Sequence, residues 1–96
     1  MTTEERTTEK RYLTTKEFKR KVENLGFVTN DKNTRHVIIY DSNGTKVAYV
    51  SRYERYAFDT AFFAFINLTD FNQKSLFNLL VDYASTPLDE RKKDRK

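Results

Sequence analysis

Two short apolar runs joined by a turn sequence constrain the fold of this chain more than any other feature. Residues 37–40 and 47–50 are rich in β-branched and aromatic side chains, which favour strands. Residues 41–45 between them contain the Asn43-Gly44 pair that is typical of a hairpin turn. The sequence therefore predicts two neighbouring antiparallel strands.

The register of this hairpin depends on the length of its loop. A two-residue turn sets Ile39 opposite Ala48 and Tyr40 opposite Val47, whereas a three-residue loop at 42–44 with a bulge shifts the pairing by one residue. We favour the first register because it matches apolar residues with apolar residues.

A capping-box sequence marks the start of a helix ahead of the hairpin. Thr14 offers an N-cap hydroxyl and Glu17 follows three residues later. Gly26 stands where a helix commonly ends in a left-handed residue. The apolar stripe of this helix recurs with helical spacing and consists of Phe18, Val22 and Leu25.

A second helix is predicted near the end of the chain. Thr69 or Asn72 can cap its first turn, and Thr86-Pro87 ends it. Asn78 and Asp82 are expected on its outer side. The predicted inner face consists of Leu76, Leu79, Leu80, Tyr83 and Ala84.

Three further segments complete the predicted order. Residues 27–29 read as a short edge strand, and residues 52–58 alternate as expected for an antiparallel strand. Residues 61–68 form the most apolar segment, and their period fits either a buried strand or a helix.

These elements predict an α+β fold in the order α-β-β-β-β-α. A small antiparallel sheet of three to four strands has two helices packed on one face. The expected domain spans 14–88, between a flexible charged arm at 1–13 and a charged tail at 89–96 whose run from Arg91 frays into solvent. The expected core residues over the sheet are Phe18, Val22, Leu25, Leu76, Leu79, Leu80 and Tyr83.

Composition narrows the class of protein. With 96 residues the chain forms one small domain, and without cysteine it forms no disulfide or cysteine-based metal site. It contains no stretch typical of a signal peptide or a membrane span, so we expect a cytoplasmic protein without membrane contact. The net charge of +4 favours polyanions only weakly, because 14 acidic residues dilute it.

Tyrosine and basic residues gather in the strand region and suggest a partner-binding face. Bases could stack on such tyrosines while the cations meet phosphates, or the same face could bind a protein. The simpler interpretation is that these are half-buried strand residues with solvated arginine neighbours. The candidate residues are Arg35, Tyr40, Lys46, Tyr49, Arg52, Tyr53, Arg55 and Tyr56.

The sequence gives little support for a catalytic function. His36 is the single histidine and has no serine or cysteine partner in a known motif, so we interpret it as structural. Asp31, Asp41 and Asp59 would have to gather at one end of the sheet to hold Mg²⁺ for a nuclease, and turn or strand-end roles explain Asp41 and Asp59 more simply. We expect a protein that is not an enzyme and binds no cofactor or metal.

Residues 79–91 carry a resemblance to a known group of proteins. They read Leu-Leu-Val-Asp-Tyr-Ala-Ser-Thr-Pro-Leu-Asp-Glu-Arg, and with residues 47–51 and 58–60 they resemble small uncharacterised proteins of phages and prophages of Gram-positive bacteria, over the region from Phe18 onward. That group brings no assigned activity. The resemblance implies a phage-type protein in the cytoplasm of a bacterial host.

The leading hypothesis is therefore a small non-catalytic accessory or regulatory protein. It binds a host or phage macromolecule, foremost a protein. In one version of this hypothesis, the binding inhibits a host factor or defence system. The alternative is a nucleic-acid-binding protein that holds DNA or RNA on the basic aromatic sheet face. A homodimer through an uncovered sheet face or the strand edge at 27–28 is a further expectation.

Overall fold

The computed structural model describes residues 12–32 and 35–92. Its four strands form one antiparallel meander in the order β1-β2-β3-β4, and helices pack against it. The predicted α+β class is confirmed. In chain order the elements are α1 (Thr15–Asn24), β1 (Val28–Asn30), β2 (His36–Tyr40), β3 (Lys46–Ser51), β4 (Phe58–Asp59), α2 (Phe63–Ile66), α3 (Asp70–Ala84) and a 3₁₀ helix (Glu90–Lys92).

The capping box of α1 forms as the sequence predicts. The Thr14 hydroxyl accepts a hydrogen bond from the Glu17 amide at 3.1 Å, and the Glu17 carboxylate accepts one from the Thr14 amide at 3.0 Å. Both orphan amides at the helix start are thereby satisfied. Gly26 follows the helix with a φ of 102°, a conformation that glycine adopts without steric penalty.

The core lies between the sheet and the two longer helices. The rings of Phe18 on α1 and Tyr83 on α3 stack with centroids 4.5 Å apart, and the Tyr83 hydroxyl bonds to the Thr15 hydroxyl at 2.7 Å. Five of the seven predicted core residues are fully buried, while Leu25 and Leu79 are half-buried. The buried apolar residues are Phe18, Val22, Phe27, Val37, Ile39, Val47, Ala48, Val50, Leu76, Leu80, Tyr83 and Ala84.

The central hairpin combines both predicted registers. Its tip is the three-residue loop, because the Asp41 amide donates to the Thr45 carbonyl at 2.9 Å. A bulge at Val47 of β3, opposite the step from Ile39 to Tyr40, then restores the favoured pairing of Ile39 with Ala48. Val47 and Ala48 are consequently both buried although they are adjacent in a strand.

The predicted strand at 52–58 is wrong for most of its length. Residues 52–57 form an irregular loop, and only Phe58–Asp59 pairs with β3 as β4. Tyr56 has a φ of 63°, which no regular strand permits. The physical reason lies in contacts with α3 and Arg91, described below.

The ambiguous segment at 61–68 contains one helical turn, α2. The side chain of Gln73 on α3 donates to the carbonyl oxygens of Phe65 at 3.1 Å and Ile66 at 2.9 Å, and so holds α2 against the first turns of α3. Thr69 rather than Asn72 is the N-cap of α3, and its hydroxyl accepts from the Asn72 amide at 3.1 Å.

The two ends of the domain differ from the sequence expectation where the structure describes them. Most of the predicted arm, 1–11, lies outside the described residues, but Leu13 packs on the core and its amide donates to the Thr86 hydroxyl at 2.9 Å. The expectation that the chain frays into solvent from Arg91 onward is wrong for Arg91, whose side chain is 3% exposed. Residues 93–96 lie outside the described part.

Candidate interaction site

The structure places the eight predicted binding residues in two groups. Arg35 lies beside the loop at 52–56, which carries four of the others, and we call this segment the arginine–tyrosine loop. Tyr40, Lys46 and Tyr49 lie on the central strands of the sheet.

The sheet half of the predicted site is partly covered by the chain itself. The Tyr49 ring packs edge-on against His36, with centroids 4.7 Å apart, and against Phe62 at 5.9 Å. The Lys46 ammonium lies 5.8 Å from the Phe62 ring. Tyr40 is half-buried opposite the edge residue Val28. These residues therefore do not form an open stacking platform.

Tyr53 is the centre of the other half. Its side chain is 50% exposed, and the guanidinium carbons of Arg35 and Arg52 lie 5.4 and 5.2 Å from its ring centroid. Such cation–π contacts hold long side chains in defined positions. The Arg52 amide also donates to the Arg35 carbonyl at 2.9 Å, so the strand ends fix this cluster.

Arg55 and Tyr56 form a second exposed pair on the same loop. The Arg55 guanidinium lies 4.9 Å from the Tyr56 ring centroid and donates from Nε to the Ser85 carbonyl at 3.1 Å, with a further contact from Nη2. The Tyr56 amide donates to the Ala84 carbonyl at 2.8 Å. These bonds to the end of α3 hold Tyr56 in its left-handed conformation, which costs a non-glycine residue about 1–2 kcal/mol.

Arg91 holds the loop from beneath, a role that the sequence analysis missed. Its guanidinium donates to five backbone carbonyl oxygens and lies 4.3 Å from the Tyr83 ring centroid. Burial lowers the pKa of Arg91 below the usual arginine value, while Tyr83 raises it and Arg55 lowers it further. The accepting oxygens, at 2.9 to 3.4 Å, belong to Ser51, Arg52, Glu54, Ala84 and Thr86.

The C-terminus of α3 is thus stabilised by arginines from outside the helix. Its last turn contains no basic residue of its own. Arg55 and Arg91 donate to the carbonyl oxygens of Ala84, Ser85 and Thr86, where the helix dipole is negative. The loop, the helix end and the 3₁₀ helix therefore form one hydrogen-bonded unit.

A second surface was also missed by the sequence analysis. Exposed large apolar side chains occur on α2 and on the outer side of α3, and we call this set the apolar helical surface. The sequence signal that could have revealed this surface is an apolar residue on the side of α3 opposite its core stripe. The set consists of Phe63, Ile66, Phe71, Phe77 and Val81.

The three aspartates considered for a metal site are engaged separately. Asp31 forms an ion pair with Lys19 at 3.2 Å, Asp41 accepts from the Asn43 and Thr45 amides, and Asp59 accepts from the Ala61 amide. Among the described residues, no group of three or more histidine or acidic side chains is placed to bind a metal ion. In the same part of the chain, no helix has the length and apolar character needed to cross a bilayer.

Comparison of the chain with protein-family models, with curated proteins and with solved structures found no match. The resemblance to phage and prophage proteins therefore stays a prediction.

Proposed function

We propose that this protein is a small non-catalytic accessory protein that binds an acidic surface of a protein partner. Arg35 and the arginine–tyrosine loop are the proposed contact. The observation that carries the proposal is the Arg91 bond network, which fixes the loop backbone while Tyr53, Arg55 and Tyr56 stay exposed. Tyrosine and arginine on a preorganised backbone are the residue types that dominate binding energy at protein interfaces.

The resemblance at residues 79–91 supports a phage-type role for this binding. It implies a bacterial cytoplasm, where the partner would be a host or phage protein and inhibition of a host factor would be the outcome. The net charge of +4 supports an acidic partner, because opposite charges speed association.

Nucleic acid is the second candidate, favoured by the exposed rings of Tyr53 and Tyr56 beside arginines. The ring contacts count against base stacking, since Arg35 and Arg52 already lie close to the Tyr53 ring. Acidic side chains of a protein can instead pair with those guanidinium groups in place.

Affinity capture from a Gram-positive bacterial lysate, with and without nuclease, tests the proposal. We expect a stoichiometric protein partner that survives nuclease treatment. The Arg35→Ala, Tyr53→Ala double variant should bind it at least about tenfold more weakly, because both side chains lie at the centre of the proposed contact. Arg20→Ala is the matched control, because it removes the same charge from an exposed site on α1.

Two outcomes would contradict the proposal. One is the recovery of no stoichiometric protein, or equal loss of the partner in the control and the double variant. The other is capture that disappears with nuclease, in which case oligonucleotide binding should fall steeply with salt and the nucleic-acid alternative would replace it.

A further inference from the structure

We propose that the apolar helical surface joins two copies of this chain, with their α3 helices antiparallel. Phe63, Phe71 and Ile66 are 80%, 68% and 62% exposed, although residues of this type are normally buried. Phe77 and Val81 extend the surface along α3. This surface is separate from the arginine–tyrosine loop, so the inference does not depend on the proposed function.

The sequence outside the described ranges offers little apolar area that would match this surface. Residues 1–11, 33–34 and 93–96 are almost entirely charged or polar, and Met1 is the one apolar side chain among them. Polar segments gain less than apolar ones by packing on phenylalanine and isoleucine. An apolar protein surface is therefore the better match as occupant.

The size of the surface fits a dimer. Summed over its five large side chains, the exposed apolar area is on the order of 500 Å², in the upper part of the range for the largest patch of a monomer. A specific interface buries about 800 Å² on each partner. Exposed polar residues on the same side of α3, including Lys74 and Asn78, supply the rim that completes this area.

Charge on α3 favours a second copy as the occupant. Asp70 and Lys74 are the charged residues at exposed positions of α3, so this side of the helix is neutral in a chain of net charge +4. Their own ion pair is long, at 3.9 Å, and the side chains are 85% and 76% exposed. A pair this exposed contributes little within one copy and is free to form across an interface.

Antiparallel symmetry makes this surface complementary to itself. When the two-fold axis crosses α3 near residue 72, Asp70 of each copy faces Lys74 of the other and the two Phe71 rings meet. Phe77 of each copy, whose ring also packs edge-on against Phe58 of its own copy at 5.7 Å, then lies opposite the α2 end of the other copy, which Gln73 holds in place. Apolar and charged groups are therefore both matched.

Sedimentation equilibrium over a concentration series tests the dimer. Phe71→Ser should raise the dimer dissociation constant at least about tenfold, since a central aromatic residue is lost. Val28→Ser is the control because Val28 is an exposed apolar residue on the β1 edge. A monomeric wild type at millimolar concentration, or a dimer that weakens with Val28→Ser and not with Phe71→Ser, would overturn the inference.

Reversing the charges at positions 70 and 74 tests whether Asp70 of one copy pairs with Lys74 of the other. Asp70→Lys and Lys74→Asp each place like charges across the proposed interface, so each variant alone should dimerise at least about tenfold more weakly. An equimolar mixture of the two restores opposite charges and should recover a heterodimer of near wild-type strength. Thermal unfolding confirms that each variant is folded. If the mixture dimerises no better than the separate variants, the antiparallel pairing is wrong.

Discussion

Replacing Arg91 with methionine keeps an unbranched side chain in the core but removes every hydrogen bond that the guanidinium donates. The two shortest run from Nη1 to the carbonyl oxygens of Ser51 and Arg52, both at 2.9 Å. The variant therefore leaves the start of the arginine–tyrosine loop without its anchor.

The expected loss of unfolding free energy is about 3 kcal/mol. A hydrogen bond to a charged group contributes about 1.5–3 kcal/mol, and the two bonds at 2.9 Å count fully. The three longer bonds add less, and methionine avoids the desolvation that lowers the Arg91 pKa, which offsets part of the sum. For a domain of this size the midpoint of thermal unfolding should fall by about 12 °C or more.

Urea unfolding followed by circular dichroism measures this loss. Arg20→Met, at an exposed position on α1, is the matched control and should stay within about 0.5 kcal/mol of the wild type. Arg91→Lys retains a charge but lacks the planar fork that reaches several carbonyl groups, so it should fall between the two. Equal stability of Arg91→Met and Arg20→Met would refute the argument that Arg91 anchors the loop.

Two further substitutions test local features of the fold. Thr14→Ala should lower the unfolding free energy by about 1 kcal/mol because the α1 capping box loses its hydroxyl; an unchanged urea midpoint would contradict this. Gly44→Ala should cost about 1 kcal/mol because Gly44 has a φ of 84° with open space around its Cα, so only the backbone conformation penalises a side chain. A stabilised variant in the same assay would show that the hairpin tip adopts another turn.

Features governed by neighbouring residues were predictable from the sequence. The Thr14 capping box, the glycine that ends α1 and the hairpin at 41–45 each depend on residues within about five positions of one another. The order of the strands follows because sequential antiparallel strands joined by short loops pair with their neighbours. The α+β class could therefore be derived without coordinates.

Features governed by distant residues were not predictable. The alternation at 52–58 favoured a strand, but Arg91, about 40 positions away, and the end of α3 hold most of this segment as a loop. The same contacts buried Arg91, which the charged sequence around it suggested would be solvated. The packing of Phe62 edge-on against Tyr49 was not predictable for a similar reason, because Phe62 belongs to a segment of ambiguous period.

The acceptors of Arg91 are all main-chain oxygens, which every amino acid supplies. Exchanging the side chains at positions 52 to 54 therefore leaves the acceptors of Arg91 in place, whereas Arg55 adds a side-chain bond of its own to the end of α3. Related chains that retain both arginines can diverge at positions 52 to 54 and acquire different specificities on an unchanged frame.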